Sequence, residues 1–469
     1  MKTVYSFIGL LLSTFSFAQP LAARLDAAIK KLETDEQFKH AILSMYVVDG
    51  KTGTMIYDKN SQTGLAPASC QKVVTSASAF DLLGKNYQYK TELAVDGIIK
   101  NGELQGNLYF IAHGDPTLGS WRWKVTSEEN IQQKILSAIK QNNISTIKGD
   151  MILDDSKWET QATPGGWIWE DVGNYYGAGA RGLNWHENQY DLILKPGKNA
   201  GDSVAIIATR PQLQVSVLVN ELKTGKKGSG DNSVIYLPEQ GLVGFVRGTV
   251  PAGKDSFIVS GAMPDAAGHF MKTIEDLFAG NGIKTGGRSK TATYIFMNKE
   301  KLKYSPNVLL TITSPSLDSI NYWFLKKSVN LYGEALVKTI AYEKAEFGST
   351  DTGIAIIKAY WDKRGIERSA LNIIDGSGLS PANRVTTSAL VTVMQYAKKQ
   401  NWFPSFYYAL PEMNGLKMKD GYISGVRSFT GYVKSRDGNE YIFAFIVNNF
   451  DGNAGTVREK MWKVLDILK

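Results

Sequence analysis

The segment Pro67-Ala-Ser-Cys-Gln-Lys-Val-Val-Thr75 decides how the rest of this chain is interpreted. Ser69 and Lys72 lie three positions apart on a helix that the apolar pattern predicts over residues 69–83. This spacing puts both side chains on one face, within hydrogen-bond range. A buried amine loses its proton more easily than an exposed one, so it can act as the base for a serine hydroxyl at a helix start. The segment therefore predicts a nucleophilic serine.

The Ser-x-x-Lys spacing alone does not identify that serine, because residues 137–140 and 145–148 show it too. Only Ser69 follows a Pro-Ala turn and two apolar runs, residues 41–48 and 54–57, whose Asp-Gly linker predicts a hairpin. Cys70 is the only cysteine, and no histidine pattern accompanies it. We therefore expect Cys70 to pack beneath the helix rather than to act as a nucleophile.

Two later segments complete a set of three motifs. Ser328-Val-Asn330 begins a helical pattern, and Lys419-Asp-Gly-Tyr422 precedes a terminal hairpin. In chain order with residues 67–75, they resemble the Ser-x-x-Lys, Ser-x-Asn and Lys-Thr/Ser-Gly motifs of penicillin-binding proteins and serine β-lactamases. Literal Lys-Thr-Gly triplets also occur, but all of them precede Ser328 and stand in the wrong order.

The resemblance implies a role for each motif residue. Ser69 is the nucleophile, and Ser328 relays a proton toward the leaving amine. Asn330 holds a substrate amide, and Lys419 is the lysine of the third motif. The backbone amides of Ser69 and Tyr422 form the oxyanion hole.

The third motif departs from the family pattern at Asp420, where threonine or serine is usual. That hydroxyl, beside Gly421, normally helps to bind the terminal carboxylate of the substrate. An ionised Asp420 would repel that carboxylate by roughly 4 kcal/mol at moderate effective dielectric. Asp420 could instead be protonated, pair with Lys419 or Arg427, or accept a hydrogen bond from an amidated or amine-bearing substrate. These alternatives stay open at this point.

Further segments are similar to the class C low-molecular-weight penicillin-binding proteins, the D-alanyl-D-alanine carboxypeptidase/endopeptidase family. These landmarks are Gly114-Asp-Pro-Thr-Leu118, Gly149-Asp-Met-Ile-Leu-Asp154, Trp167-Ile-Trp-Glu-Asp-Val-Gly-Asn-Tyr-Tyr-Gly177, Asp375-Gly-Ser-Gly-Leu-Ser380 and Asn383-Arg-Val385. Together they are far more specific than any tripeptide.

The resemblance implies an α+β fold, in which a transpeptidase-like domain with an antiparallel sheet flanked by helices carries two nested, mainly β insertions. The turn-rich middle of the chain agrees with inserted β material. The expected division is residues 19–88 and 296–469 for the catalytic domain, 89–155 and 246–295 for inserted domain II, and 156–245 for inserted domain III.

The implied function is a serine DD-peptidase that cleaves peptidoglycan stem peptides through a Ser69 acyl-enzyme and is inhibited by β-lactam antibiotics. The bonds are D-alanyl-D-alanine, D-alanyl-diaminopimelate cross-links, or both. One alternative is a catalytically impaired peptidoglycan-binding homologue, with Asp420 as the reason. A β-lactamase is disfavoured, because the large insertion and the landmarks belong to peptidases.

Residues 1–18 predict a signal peptide, with an apolar run too short for a permanent membrane span and small residues before Gln19. We therefore expect an exported, periplasmic protein, soluble or peripherally associated with the envelope. The formal net charge of +8 fits an anionic envelope better than a nucleic acid, since no basic run is present.

No cofactor or metal is expected. His113 and His186 are isolated, without a metal-binding spacing or a cysteine pair. The sequence leaves both a monomer and a homodimer open.

Overall fold

The computed structural model of the chain describes residues 19–214, 217–302 and 306–469. The predicted signal peptide, residues 1–18, lies outside the described residues. No helix in the described ranges is both long enough and apolar enough to cross a membrane.

The described part of the chain contains strands throughout its length. They are β1 (Ile42–Asp49), β2 (Met55–Lys59), β3 (Lys90–Val95), β4 (Ile98–Lys100), β5 (Glu103–Gln105), β6 (Leu108–Ala112), β7 (Thr146–Ile147), β8 (Met151–Asp154), β9 (Gln189–Lys195), β10 (Ala205–Arg210), β11 (Val217–Asn220), β12 (Lys223–Gly225), β13 (Asn232–Tyr236), β14 (Val243–Pro251), β15 (Phe257–Ala262), β16 (Lys284–Thr285), β17 (Ser289–Thr291), β18 (Asn307–Thr313), β19 (Leu371–Asn372), β20 (Arg384–Val385), β21 (Glu412–Met413), β22 (Leu416–Ile423), β23 (Val426–Lys434) and β24 (Glu440–Asn448).

Its α-helices concentrate in the first and last parts of the chain. They are α1 (Leu21–Glu33), α2 (Lys72–Leu83), α3 (Glu128–Gln141), α4 (Trp169–Val172), α5 (Ala266–Gly280), α6 (Ala292–Met297), α7 (Leu317–Lys326), α8 (Asn330–Ala345), α9 (Thr350–Asp362), α10 (Thr387–Lys398), α11 (Phe403–Ala409) and α12 (Ala454–Leu465).

A six-stranded antiparallel sheet joins the two ends of the chain, in the order β2-β1-β24-β23-β22-β21. Strand β24 is buried along most of its length because helices cover both faces of the sheet. Helices α1 and α12 pack on the outer face; Leu25, Ile29 and Leu32 form the buried stripe of α1. Helices α2, α8 and α10 build the core on the inner face. This arrangement confirms the α+β prediction of an antiparallel sheet flanked by helices.

The helix that carries the first motif begins with one 3-10 turn, Ala68–Gln71, and continues as α2. Ala68 has a φ of 45°, so the chain enters this turn through a left-handed residue. Helix α2 is buried from Lys72 to Phe80, between α7, α8 and α10. The element predicted over residues 69–83 is therefore present, and its first turn is tighter than an α-helix.

The middle of the chain forms further sheets of its own. Their strand orders are β17-β8-β6-β3-β18, β16-β7-β5-β4, β10-β9-β15 and β11-β14-β12 with β13 paired to β14. The division into inserted domains stays a prediction. Pairing places β14 and β15 with strands of residues 156–245, and places β18 beside β3, a strand of residues 89–155.

Candidate active site

The side chains of Ser69 and Lys72 meet as the sequence predicts. The Lys72 Nζ atom lies 2.9 Å from the Ser69 Oγ atom, and it also donates to Asn330 Oδ1 and to the Ser377 carbonyl, each at 2.7 Å. Lys72 is fully buried. Burial is the main cause that lowers the pKa of Lys72 to about 7, and nearby Lys419 lowers it further. Lys72 can therefore exist as a neutral amine near neutral pH and accept a proton from Ser69.

The second motif lies across the cleft from Ser69. Asn330 is the first residue of α8, and its amide group is held at both ends: Oδ1 accepts from Lys72, while Nδ2 donates to the Tyr176 carbonyl at 2.8 Å. Ser328 lines the same cavity as Ser69. Its φ of 57° is uncommon for a residue other than glycine, and such conformations cluster at functional sites.

The third motif lies on β22, beside the turn that carries Ser69. A Cβ atom on Gly421 would lie 2.8 Å from the Ser69 backbone nitrogen and 2.8 Å from the Pro67 carbonyl oxygen. Only glycine permits this approach. The hydroxyl of Ser428, on the next strand, donates to the same Pro67 carbonyl at 2.5 Å. These contacts hold β22 against the nucleophile turn, as an oxyanion hole built from the amides of Ser69 and Tyr422 requires.

Lys419 and Asp420 interact with each other. Lys419 is 1% exposed, and its Nζ atom donates to the Asp420 carbonyl at 2.7 Å and to Asp420 Oδ1 at 3.1 Å. Burial opposes ionisation of Asp420, but Lys419 and Arg427 outweigh it and lower the pKa of the carboxyl. Of the alternatives left open above, the structure contains the pairing with Lys419.

A cavity of about 800 Å³ opens in front of Ser69. Ser69, Ser328, Asn330 and Tyr422 line it, together with inserted-segment residues such as Tyr176. The remaining motif residues, Lys72, Lys419, Asp420 and Gly421, do not line this cavity.

A loop around Asp375 supports Lys72 from below. Asp375 accepts hydrogen bonds from the backbone nitrogens of Gly378 and Ser380 at 2.8 and 2.7 Å, and from the Gln71 side chain at 2.9 Å. This fixes the loop whose Ser377 carbonyl receives Lys72.

Glu334 holds the same loop from α8. It is fully buried, and its Oε2 atom accepts from the Gly376 backbone nitrogen at 2.9 Å. Burial raises the pKa of Glu334 to about 8, and Asp375 adds to the rise. The sequence marks the Asp375 segment as a family landmark, but these supporting roles arise from contacts between distant positions and have no local signal.

The inserted segment contacts the loop around Asp375 through a tryptophan. Trp167 Nε1 donates to Asp375 Oδ2 at 2.9 Å, and Ser380 Oγ donates to the Gly166 carbonyl at 2.8 Å. Two landmark segments that the sequence identifies separately are thus in direct contact.

Cys70 packs beneath the nucleophile turn. It is fully buried, and its thiol donates to the Lys419 carbonyl at 3.2 Å. Burial raises the pKa of the thiol to about 12, so these observations confirm the predicted packing role. His113 contacts Tyr342, and His186 pairs with Glu128. Within the described ranges, no three His, Cys, Asp or Glu side chains are grouped to hold a metal ion.

The sequence profile of the D-Ala-D-Ala carboxypeptidase 3 (S13) family matches residues 25–415. The chain belongs to the S13 family. It is a serine peptidase, and the fold is that of a penicillin-binding protein.

Individual relatives align over nearly the whole chain. The D-alanyl-D-alanine carboxypeptidase of Actinomadura sp. (strain R39) is 26% identical, with 90% of this chain and 80% of that protein covered. The carboxypeptidase DacB of Haemophilus influenzae is 23% identical, with 96% and 94% covered. The crystal structure of H. influenzae penicillin binding protein 4 (dacB) superimposes with a TM-score of 0.79 at 21% identity, over 95% of this chain and 99% of that chain.

Proposed function

We propose that Ser69 is the nucleophile with which this S13 peptidase cleaves peptide bonds that follow D-alanine in peptidoglycan stem peptides. The observation that carries the proposal is the buried Lys72 amine, 2.9 Å from Ser69 Oγ. Family membership supports the class of substrate. A D-alanyl-D-alanine terminus and a D-alanyl-diaminopimelate cross-link present the same acyl group, so both are candidate substrates.

In the acylation step, Ser69 Oγ attacks the carbonyl carbon of the penultimate D-alanine, and the Ser69 proton passes to Lys72. The negative charge that develops on the carbonyl oxygen faces the backbone amides of Ser69 and Tyr422. A proton then reaches the leaving amine by way of Ser328, and the C–N bond breaks. The terminal residue leaves, and Ser69 carries the peptide as an ester.

In the deacylation step, a water molecule attacks the ester carbonyl, and Lys72 accepts one of its protons. The bond to Ser69 Oγ breaks, the serine regains a proton, and the shortened peptide leaves with a new carboxylate. Asn330 holds the peptide amide, and Lys419 supplies a positive charge from β22. The cavity of about 800 Å³ is within the size range of ligand sites.

A β-lactam presents a strained amide to the same serine, and we propose that it acylates Ser69. The H. influenzae protein of the same fold is called a penicillin binding protein. The predicted signal peptide supports action outside the cytoplasm, in the periplasm, where stem peptides are found. Sedimentation equilibrium of residues 19–469 would distinguish a monomer from a homodimer.

The proposal is tested by incubating residues 19–469 with a labelled penicillin and measuring the intact mass. We expect one adduct per chain, absent from Ser69→Ala and retained in Ser76→Ala, a buried serine on the same helix that bonds Asn321. A stable adduct would exclude the alternative that the protein is a catalytically impaired peptidoglycan-binding homologue. Rapid release of hydrolysed drug would indicate a β-lactamase, and neither adduct nor hydrolysis would contradict the proposal.

A further inference from the structure

The outer face of the sheet carries two arginines that lack acidic partners. Arg427 lies on β23 and Arg458 on α12, and both are half-buried. Among the described residues, neither guanidinium forms an ion pair within 4 Å or donates a hydrogen bond to a protein acceptor. The charge of Asp420 favours the Arg427 cation, and the charge of Arg458 disfavours it.

Strand β23 and helix α12 carry three buried N–H groups that lack a partner. The Nε atoms of Arg427 and Arg458 and the Nε1 atom of Trp462 are all shielded from solvent and have no hydrogen-bond partner. Native proteins leave few buried donors unpaired, and an unpaired donor often marks a bound water or ion. Three such donors in one cluster therefore indicate a missing acceptor.

Aromatic rings connect these donors into one site. The Arg458 guanidinium lies 4.9 Å from the Trp462 ring, and the Arg427 guanidinium lies 5.8 Å from the Phe429 ring. The rings of Phe429 and Trp462 are 6.4 Å apart. Burial lowers the pKa of Arg427; Asp420 opposes this effect and Arg458 adds to it. The ring contacts place both guanidiniums against the Phe429–Trp462 pair.

Arg427 and α12 lie on the other face of the sheet from Ser69, and the Arg427 guanidinium is also 5.4 Å from the ring of Tyr422, at the edge of the cleft. Successive residues of a strand point to opposite faces. Ser428 points inward and bonds the Pro67 carbonyl beside the nucleophile, so its neighbours Arg427 and Phe429 point outward to α12. Asp420 is the acidic group that influences Arg427, but its carboxylate is already bonded to Lys419.

We propose that Arg427, Arg458 and Trp462 form a binding site for a small oxyanion, a phosphate or carboxylate group, separate from the catalytic cleft. Guanidinium groups match the planar or tetrahedral oxygens of such anions, and an indole N–H adds a third donor. An anion in this position would neutralise the paired cations and satisfy the three buried donors together. It would also fasten α12 to β23, the neighbour of the strand that carries Lys419.

The test measures thermal unfolding of residues 19–469 during titration with inorganic phosphate or with acetate, at constant ionic strength set by sodium chloride. We expect at least one of the two anions to give a saturable rise in Tm of about 2 °C or more, because a ligand that binds only the folded state stabilises it. A response to phosphate alone assigns a phosphate-bearing ligand, and a response to acetate alone assigns a carboxylate. If neither anion raises the Tm more than sodium chloride does, the site is absent.

Variants separate this site from unspecific binding. Arg458→Gln should weaken the apparent anion affinity about 10-fold or more, and Trp462→Phe should weaken it by a smaller factor while keeping the ring. Without added anion, Arg458→Gln should unfold at or above the wild-type Tm, because it removes an unpaired cation. Arg436→Gln, an exposed arginine in the β23–β24 turn, is the matched control and should behave as wild type.

The catalytic cleft supplies a second readout. Penicillin acylation should proceed at the wild-type rate in Arg458→Gln, with and without saturating phosphate. Equal anion affinities in Arg458→Gln and wild type would overturn the proposal. Competition between phosphate and penicillin would also overturn it, because the anion would then occupy the cleft.

Discussion

At the scale of single residues, the site depends on the protonation state of Lys72. Its pKa of about 7 means that the amine is mostly an ammonium below that pH and mostly neutral above it. An ammonium cannot accept the Ser69 proton. We therefore predict that the rate of penicillin acylation falls about tenfold per pH unit below 7 and levels off above it. Stopped-flow acylation kinetics from pH 5 to 9 would measure this profile.

Substitution of the same residue gives a second test. Lys72→Arg keeps a positive charge but cannot lose its proton, so acylation should fall by about 10² to 10⁴-fold and lose the pH dependence near 7. Lys85→Arg, an exposed lysine just beyond the same helix, should have no effect. A fast Lys72→Arg enzyme would show that another group is the base.

Asp420 carries the strongest residue-level prediction about substrate choice. The Asp420 carboxyl is held in its ionised form and accepts a hydrogen bond from Lys419. It therefore adds a negative charge where the family has a hydroxyl. Asp420→Thr should raise kcat/KM on a D-alanyl-D-alanine peptide with a free carboxylate by about 10-fold, equivalent to ~1.4 kcal/mol of transition-state stabilisation. Steady-state assays would measure it, with Asp437→Thr in the exposed turn as the control. No gain would mean that Asp420 is not what limits this substrate.

The sequence could predict the motif residues because their chemistry repeats at fixed local spacing. Ser69 and Lys72 are one helical turn apart, and Asn330 begins a helix. It could not predict that the Tyr176 carbonyl or the Ser377 carbonyl would hold these side chains. Backbone acceptors carry no residue-type signal, and both lie far away in the chain.

At the scale of secondary-structure elements, β22 and the 3-10 turn at Ser69 must lie almost in contact. Gly421→Ala would place a methyl group 2.3 Å from Ser428 Oγ and 2.8 Å from the Ser69 nitrogen, so the strand would move outward. The oxyanion donors would then separate, and acylation should fall by about 10² to 10³-fold, the cost of losing one such donor. Penicillin acylation rates would measure this.

A matched control separates this local effect from a general effect of replacing glycine. Gly165→Ala introduces the same methyl group where no atom lies within 4 Å, so its acylation rate should equal that of the wild type. A Gly421→Ala enzyme as fast as wild type would show that the strand and the turn have room to separate without loss of function.

Most elements outside the insertions follow from periodicity, and their ends from capping chemistry. The helical spacing of the apolar residues between positions 21 and 32 marks α1, and the predicted terminal hairpin is β23 and β24. Within the middle of the chain, the apolar spacing of residues 271–280 marks only the later part of α5, which begins at Ala266 because the Asp265 side chain caps it by accepting from the Gly268 nitrogen. Its first turn contains small residues that the apolar pattern does not register.

At the scale of the whole molecule, the inserted segment is fastened to the catalytic domain at Asp375. Trp167→Phe keeps the aromatic ring and removes the N–H that bonds the carboxylate, leaving a buried acceptor short of one donor. We expect a loss of about 1.5–3 kcal/mol in the free energy of unfolding, as for a hydrogen bond to a charged group. Acylation should also slow, since the Asp375 loop positions Lys72. Urea denaturation and penicillin kinetics would measure both changes.

Trp169→Phe is the control for this prediction, because Trp169 is 53% exposed. It should leave both stability and acylation unchanged. If Trp167→Phe behaved in the same way, the inserted segment would not depend on this contact, and the Asp375 loop would be held by the catalytic domain alone.

The overall architecture could be predicted only through the family resemblance. The family resemblance placed the two ends of the chain in one domain, and the antiparallel pairing of β1 with β24 agrees with it. The strand order of the sheets in the middle of the chain could not be derived, because tertiary contacts decide which strands pair. Strand β18, for example, follows the inserted segments in sequence but pairs with β3.

The buried position of Cys70 has a practical consequence. It is the only cysteine, and the folded chain seals its thiol beneath the nucleophile turn. A maleimide or an Ellman-type reagent should therefore find no reactive group until the chain opens there. The native protein thus carries its own reporter of unfolding at the catalytic centre. A cysteine introduced at any surface position would be the single point of attachment for a fluorophore or spin label, with no background to remove.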